Sequence, residues 1–224
     1  MLGSGHQDTG GSSEDAVVAG PPELGISRML LVITGSASAT AMPFWVTWLR
    51  ETYPELQITI VVTRMAQRFV TRQALALRIH DDVLIDEWPA DAVTARHVEL
   101  CEWAQAILVY PATMQFIARL ALGMADSPAL LAAQCSSAPI AIAPALPPGG
   151  LDSAALRRHW ATLAERDNIV LMPPREGKSL TTGRMDGWVP TALPDVLRRL
   201  EACRHELDKR ERAVGLNTID WRAL

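Results

Sequence analysis

Apolar residues fall along this chain in two kinds of run. The first kind is short and unbroken: "RMLLVITGS" from Arg28, "LQITIVVT" from Leu56, "AILVYPAT" from Ala106, "APIAIAPAL" from Ala138 and "NIVLMPP" from Asn168. Val/Ile/Leu runs without polar alternation suit strands buried on both faces of a parallel sheet. "DVLIDEW" reads as a further short strand. The second kind has helical spacing. In "ATAMPFWVTWLRETYP", Phe44, Val46, Trp48 and Leu49 can line one side, and Pro54 ends the run. "RMAQRFVTRQALALRIH" reads as a second helix, and "ADAVTARHVELCEWA" as loop and then short helix. "MQFIARLALGMADSPALLAAQC" reads as mostly helix, followed later by "LDSAALRRHWATLAERD" and a charged closing helix, "TALPDVLRRLEACRHELDKRERA".

Strands and helices alternate throughout, which predicts an α/β fold built on a doubly wound parallel sheet. Residues 1–27 are rich in Gly, Ser, Pro and Asp and are expected to be disordered. One domain is expected over residues 28–203, with residues 204–224 as a charged helix end and tail. Ligands of such sheets sit outside the carboxyl ends of the strands. The loops that matter are then Thr34–Ala39, Thr63–Ala66, Pro111–Gln115, Pro144–Gly150 and Pro173–Arg184.

Composition narrows the classes. The chain has 224 residues, 49% hydrophobic and 21% charged, with a net charge of −4. No apolar run reaches the roughly 18 residues of a membrane span. Mild acidity without a Lys/Arg block speaks against a nucleic-acid partner. The N-terminus lacks a basic-then-apolar signal pattern, so a cytoplasmic location is expected. The three cysteines are scattered with no CxxC pair, so neither a metal site nor a disulfide framework is expected. Of the 21 basic residues, only Lys178 and Lys209 are lysine.

The loops carry several chemical groups, each with two readings. "TGSAS" after the first strand can cradle a phosphate through Gly35, Ser36 and the following amides, or it can be an ordinary strand-to-helix turn with a serine cap. It contains neither GxGxxG nor a P-loop. Thr63 offers a ligand hydroxyl or an N-cap. His97 can move a proton near neutral pH, or be a half-buried helix histidine. Gln115 can offer donor and acceptor to a ligand, or be a polar residue at a helix start.

The order of these groups resembles the flavin-containing cysteine decarboxylases. These include the phosphopantothenoylcysteine decarboxylases and the enzymes that oxidatively decarboxylate the C-terminal cysteine of lantibiotic-type precursor peptides. The similarity runs from about Met29 to Cys203, and the matching pieces are "LLVITGSAS", "ITIVVTRMAQRFV", "HVEL", "PATMQFIARLALGMADSPALL" and "PIAIAPAL". The resemblance implies a flavodoxin-like or Rossmann-like three-layer sandwich in a trimer or dodecamer, with FMN or FAD bound between subunits. It implies Gly35, Ser36, Ala37 and Thr63 as phosphate and ribityl contacts, with Phe69 packed beside them. Pro111, Ala112, Thr113 and Met114 would form the wall beside the flavin ring, with Ser127 close by. His97 falls on the family's active-site histidine. Gln115 stands where the family has an asparagine, and Leu146 and Pro147 stand in a substrate segment whose usual asparagine is absent. The flap "PPREGKSLTTGRMDGWVP" lacks the reducing cysteine of the phosphopantothenoylcysteine enzymes. Its Thr182, Gly183 and Arg184 look like a substrate clamp, and an arginine-rich lining (Arg64, Arg68, Arg72, Arg184) is expected. The implied partner is a precursor peptide ending in cysteine, and the implied product is an aminoenethiol for aminovinyl-cysteine formation. A phosphopantothenoylcysteine decarboxylase, a flavin prenyltransferase and a catalytically silent flavin-binding subunit are the rival readings.

Overall fold

The computed structural model describes residues 20–88, 93–179 and 182–214. Six strands form one parallel sheet in the order β3-β2-β1-β4-β5-β6. They are β1 (Arg28–Ile33), β2 (Gln57–Val62), β3 (Leu84–Ile85), β4 (Ala106–Ala112), β5 (Ile140–Pro144) and β6 (Ile169–Leu171). The unbroken apolar runs have their cause here. All seven residues of β4 and all five of β5 are buried, because helices cover both faces. The order is the Rossmann one, with the turnover between β1 and β4, and not the 2-1-3-4-5 order of flavodoxins.

One face carries α1 (Met42–Thr52), α2 (Arg72–Ile79) and α7 (Leu193–Val214), packed on Met29, Leu31, Ile33, Ile60 and Leu108. The other carries α3 (Arg96–Trp103), α4 (Met114–Ala121), α5 (Pro128–Cys135) and α6 (Ala154–Ala164), packed on Leu30, Val32, Ile107 and Val109. Each fully buried Leu, Ile or Val side chain contributes about 1.5–3 kcal/mol of burial free energy.

Several elements differ from the sequence expectation. The tract from Met114 to Cys135 is two helices: Gly123 adopts a positive φ of 71° and Pro128 restarts the second. The segment after β2 is a 3-10 turn (Ala66–Arg68) and then α2, which Thr71 caps through Ala74 N–H. The flap contains an antiparallel hairpin, β7 (Arg175–Gly177) with β8 (Gly187–Val189). Residues 1–19 of the expected disordered extension, and residues 215–224 of the expected tail, lie outside the described residues. Packing begins before Arg28: Leu24 and Ile26 pack on the core, and Tyr53 Oη donates to Pro22 O at 2.7 Å. As expected of the closing helix, α7 continues through residue 203 into the charged end.

Candidate functional site

At the carboxyl ends of β1 and β4, Thr34 joins the two loops. Its buried hydroxyl donates to Pro111 O at 2.7 Å and accepts from Thr113 N–H at 2.8 Å. The next residue, Gly35, lies against the loop after β2. A Cβ there would meet Met65 Cβ at 2.5 Å and the Met65 carbonyl carbon at 2.7 Å, so only glycine fits without moving backbone. Thr113 then caps α4, accepting from Phe116 N–H.

These loops floor a cleft of about 720 Å³. Of the residues predicted for the site, it collects Gly35, Ser36, Ala37, Thr113, Met114, Gln115, Leu146, Pro147 and Thr182. The hairpin forms another wall, since Leu146 and Trp188 exchange backbone hydrogen bonds of 2.9 and 3.1 Å. Lys178, Ser179 and Trp188 of this hairpin line the cleft, as do Ser38 and Thr40.

The other predicted residues lie off the lining. Pro111 and Ala112 are buried in β4 behind Thr113. Thr63 Oγ1 accepts from Ala66 N–H at 3.3 Å, just before the 3-10 turn. Phe69 is 39% exposed at the end of the 3-10 turn. Gly183 and Arg184 sit at the hairpin tip, where Arg184 pairs with Asp186 at 2.8 Å. Hydrogen bonding from Thr182, and then from Arg184, holds the Asp186 carboxyl below its usual range. Among the described residues the expected arginine lining does not form: Arg64 pairs with Glu87 and Arg72 with Asp82, and the one charged residue lining the cleft is Lys178.

His97 and Ser127 belong to a second cluster, beyond β3. Asp86, 8% exposed at the end of β3, accepts from Ser127 Oγ at 2.7 Å and from Ala129 N–H at 2.9 Å. It thereby holds the start of α5, where Ser127 makes no cap of its own. Burial pushes the Asp86 carboxyl up, against the pull of these two hydrogen bonds. Trp88 donates to Asp126 O at 3.1 Å and stands edge-on to His97, with ring centroids 5.5 Å apart.

Among the described residues, two buried side-chain polar atoms lack a hydrogen-bond partner: Ser36 Oγ and His97 Nδ1. Folded proteins leave few such atoms, because each costs about 1–3 kcal/mol. Ser36 occupies an N-cap position, yet its hydroxyl caps nothing. Residues 19–190 match the family described as Flavoprotein. The chain belongs to that family. It is 34% identical over 175 residues to the cypemycin cysteine dehydrogenase (decarboxylating) of a Streptomyces species, covering 78% of this chain and 90% of that protein. It is also 34% identical over 142 residues to the coenzyme A biosynthesis bifunctional protein CoaBC of Vibrio vulnificus, covering 62% of this chain and 34% of that protein. The crystal structure of the cypemycin decarboxylase CypD superposes with a TM-score of 0.69 at 30% identity, covering 86% of this chain and 99% of that one. The FMN-dependent cysteine decarboxylase SpaF gives 0.68 at 26%, covering 79% and 96%. The protein is thus a homologue of FMN-dependent cysteine decarboxylases. Among the described residues, no helix is long and apolar enough to cross a membrane, and no group of three or more His, Cys, Asp or Glu is placed to hold a metal.

Thr34, Asp86 and Lys178 escaped the sequence reading. Thr34 and Asp86 act through partners 41 to 79 residues away, which no local pattern reveals. Lys178 did carry a signal, as one of two lysines in an arginine-using chain.

Proposed function

We propose that this protein oxidatively decarboxylates the C-terminal cysteine of a ribosomally made precursor peptide, with bound FMN or FAD. The product would be an aminoenethiol, set for closure to a vinyl thioether. The observation that carries this reading is the pair of unpartnered buried atoms, Ser36 Oγ and His97 Nδ1. Both are residues that a flavin-dependent cysteine decarboxylase would use.

The residues fit a phosphate-bearing flavin. Gly35 lets the β1 loop close on Met65 of the loop after β2, Ser36 offers an unused hydroxyl, and the amides that open the Ala37–Ala41 turn follow at once. Thr113 and Met114 would wall the ring, with Pro111 and Ala112 behind them. The flavin would supply two-electron oxidation, which no side chain of the cleft offers. The chain's own part is to bind, orient and move protons. His97 would take the thiol proton, imidazole being the side chain that exchanges protons near neutral pH. Thr182 and Gln115 face the space a peptide end would fill.

His97 and Ser127 stand apart from the cleft lining of the same copy. The reading therefore includes a homo-oligomer, a trimer or dodecamer, in which one copy's His97 meets another's cleft. Cytoplasmic peptide maturation would be its setting. The test mixes two variants: His97→Asn, expected to have lost turnover of a cysteine-terminated peptide, and Ser36→Ala, expected to lose it where flavin is scarce enough that its weaker binding leaves the cleft empty. Reassembled together, they should regain activity through mixed interfaces. No recovery would place the site within one copy, and full turnover by His97→Asn would remove the histidine from the chemistry.

The similarity to CoaBC favours one second reading, phosphopantothenoylcysteine as substrate. Residues 173–190 contain no cysteine to reduce an enethiol product, which speaks for the peptide. Comparing the two thiols as substrates decides between them.

A further inference from the structure

Resting on that reading, we infer that Lys178 is the carboxylate anchor of the cleft, the residue that selects a free C-terminus on the bound peptide. Around the cleft, the lining offers hydroxyls from Ser36, Ser38, Thr40, Thr113, Ser179 and Thr182, apolar surface, and one charge. Among the described residues that charge belongs to Lys178, and no carboxylate lines the space. Among the described residues, Lys178 forms no ion pair, whereas the neighbouring Arg184 is held by Asp186.

Two anions would have to share this cleft, the flavin phosphate and the peptide's terminal carboxylate. Topology separates their places. The phosphate cradle is at the end of β1, where Gly35 and Ser36 lie. Lys178 is the first residue after β7, on the hairpin that joins the loop after β5 through Leu146 and Trp188. That junction is firm. A Cβ on Gly177 would meet Val189 Cγ1 at 2.5 Å, so β7 and β8 pack too tightly to take a larger residue there. The lysine therefore stands on an anchored base, on the hairpin and not on the β1 loop that carries the phosphate cradle.

Pro147, in the lining beside that junction, has no amide proton to offer a carboxylate, and Gln115 offers a neutral donor. A hydrogen bond between opposite charges is worth more than one from a neutral donor. Its loss on truncation is about ten- to a hundredfold in affinity.

The experiment uses the flavin-loaded protein and short neutral peptides ending in serine, which bind without reacting, as free acids and as carboxamides. Calorimetry should show wild type preferring the acid by about ten- to a hundredfold. Lys178→Gln should bind both peptides equally, near the wild-type value for the carboxamide, and Lys178→Arg should restore part of the preference. With the cysteine-terminated acid, Lys178→Gln should raise KM and leave kcat near wild type. Flavin content and spectrum should not change. An undiminished acid preference in Lys178→Gln overturns the inference. So does loss of flavin, which would place the lysine on the cofactor. Wild type that neither binds nor turns over any cysteine-terminated peptide would instead sink the proposed function beneath it.

Discussion

Asp86 gives the sharpest test of how the second cluster is held together. Replacing it with alanine removes the acceptor of two buried donors, Ser127 Oγ–H at 2.7 Å and Ala129 N–H at 2.9 Å. A buried donor left unpaired costs about 1–3 kcal/mol, and part of that is offset because a desolvated carboxylate is removed as well. The net loss for Asp86→Ala is then about 2–4 kcal/mol, a fall in Tm of about 4–16 °C for a chain of this size. Asparagine keeps an oxygen for Ala129 N–H, and the Ser127 hydroxyl can turn to accept from its amide. Asp86→Asn should therefore stay within about 1 kcal/mol of wild type at pH 7. The pH dependence has a definite sign. Burial, the largest influence, raises the folded-state pKa of Asp86 above its unfolded value. The folded protein thus holds this proton more tightly. The stabilisation is complete below the unfolded value and is lost as pH rises through the folded one. Wild type should gain stability relative to Asp86→Asn as pH falls from neutral through the carboxylate range. Titrating groups away from it, such as Glu201 beside Arg204, are common to both proteins and cancel in the difference. Thermal melts of the two proteins across that range supply the comparison. A gap that stays constant, or that moves in favour of asparagine on acidification, refutes the reasoning.

Four further outcomes are expected. Ser36→Ala should weaken flavin binding about tenfold, measured by quenching of flavin fluorescence, because it deletes a hydroxyl that has no partner within the protein. Gly35→Ala should do worse and also lower Tm, since its Cβ would strike Met65 backbone; a variant that binds flavin normally would contradict the close approach. His97→Asn should keep the flavin spectrum and lose peptide turnover by roughly a hundredfold or more, the usual contribution of a proton-transfer group. The two tyrosines should resist alkaline titration: burial pushes Tyr110, which donates to Thr191 O at 3.1 Å, up to about 12 and raises Tyr53 as well. Less than half of either phenol should ionise at the ordinary value of 10.0, as read by ultraviolet absorbance.

The core of the fold was legible because parallel strands covered on both faces leave unbroken apolar runs. β1, β4 and β5 are such runs, and so is most of β2. The split between α4 and α5 was not, because apolar residues continue through Leu122 and Met124 while a single glycine turns the backbone. The β7–β8 hairpin escaped because three-residue strands such as Arg-Glu-Gly carry no period. Within the site, Gly35, Ser36 and Thr113 stood out as small and hydroxyl residues at strand ends, where parallel sheets bind ligands. Chemistry alone left their roles open; an ordered resemblance across the chain singled them out. What stayed invisible was pairing over distance. Asp86 after a two-residue strand looks like any solvated acid until β3 is placed beside α5, and Arg64 and Arg72 look like a basic lining until each meets its own carboxylate.

The central claim is that this cleft holds a flavin and removes carbon dioxide and two hydrogens from a terminal cysteine. Mass spectrometry of the purified protein, before and after incubation with a cysteine-terminated peptide, tests both halves together. The account predicts released FMN or FAD and a peptide lighter by about 46 Da, the mass of carbon dioxide plus two hydrogens. Protein without flavin, or flavin with every peptide unchanged, would contradict it.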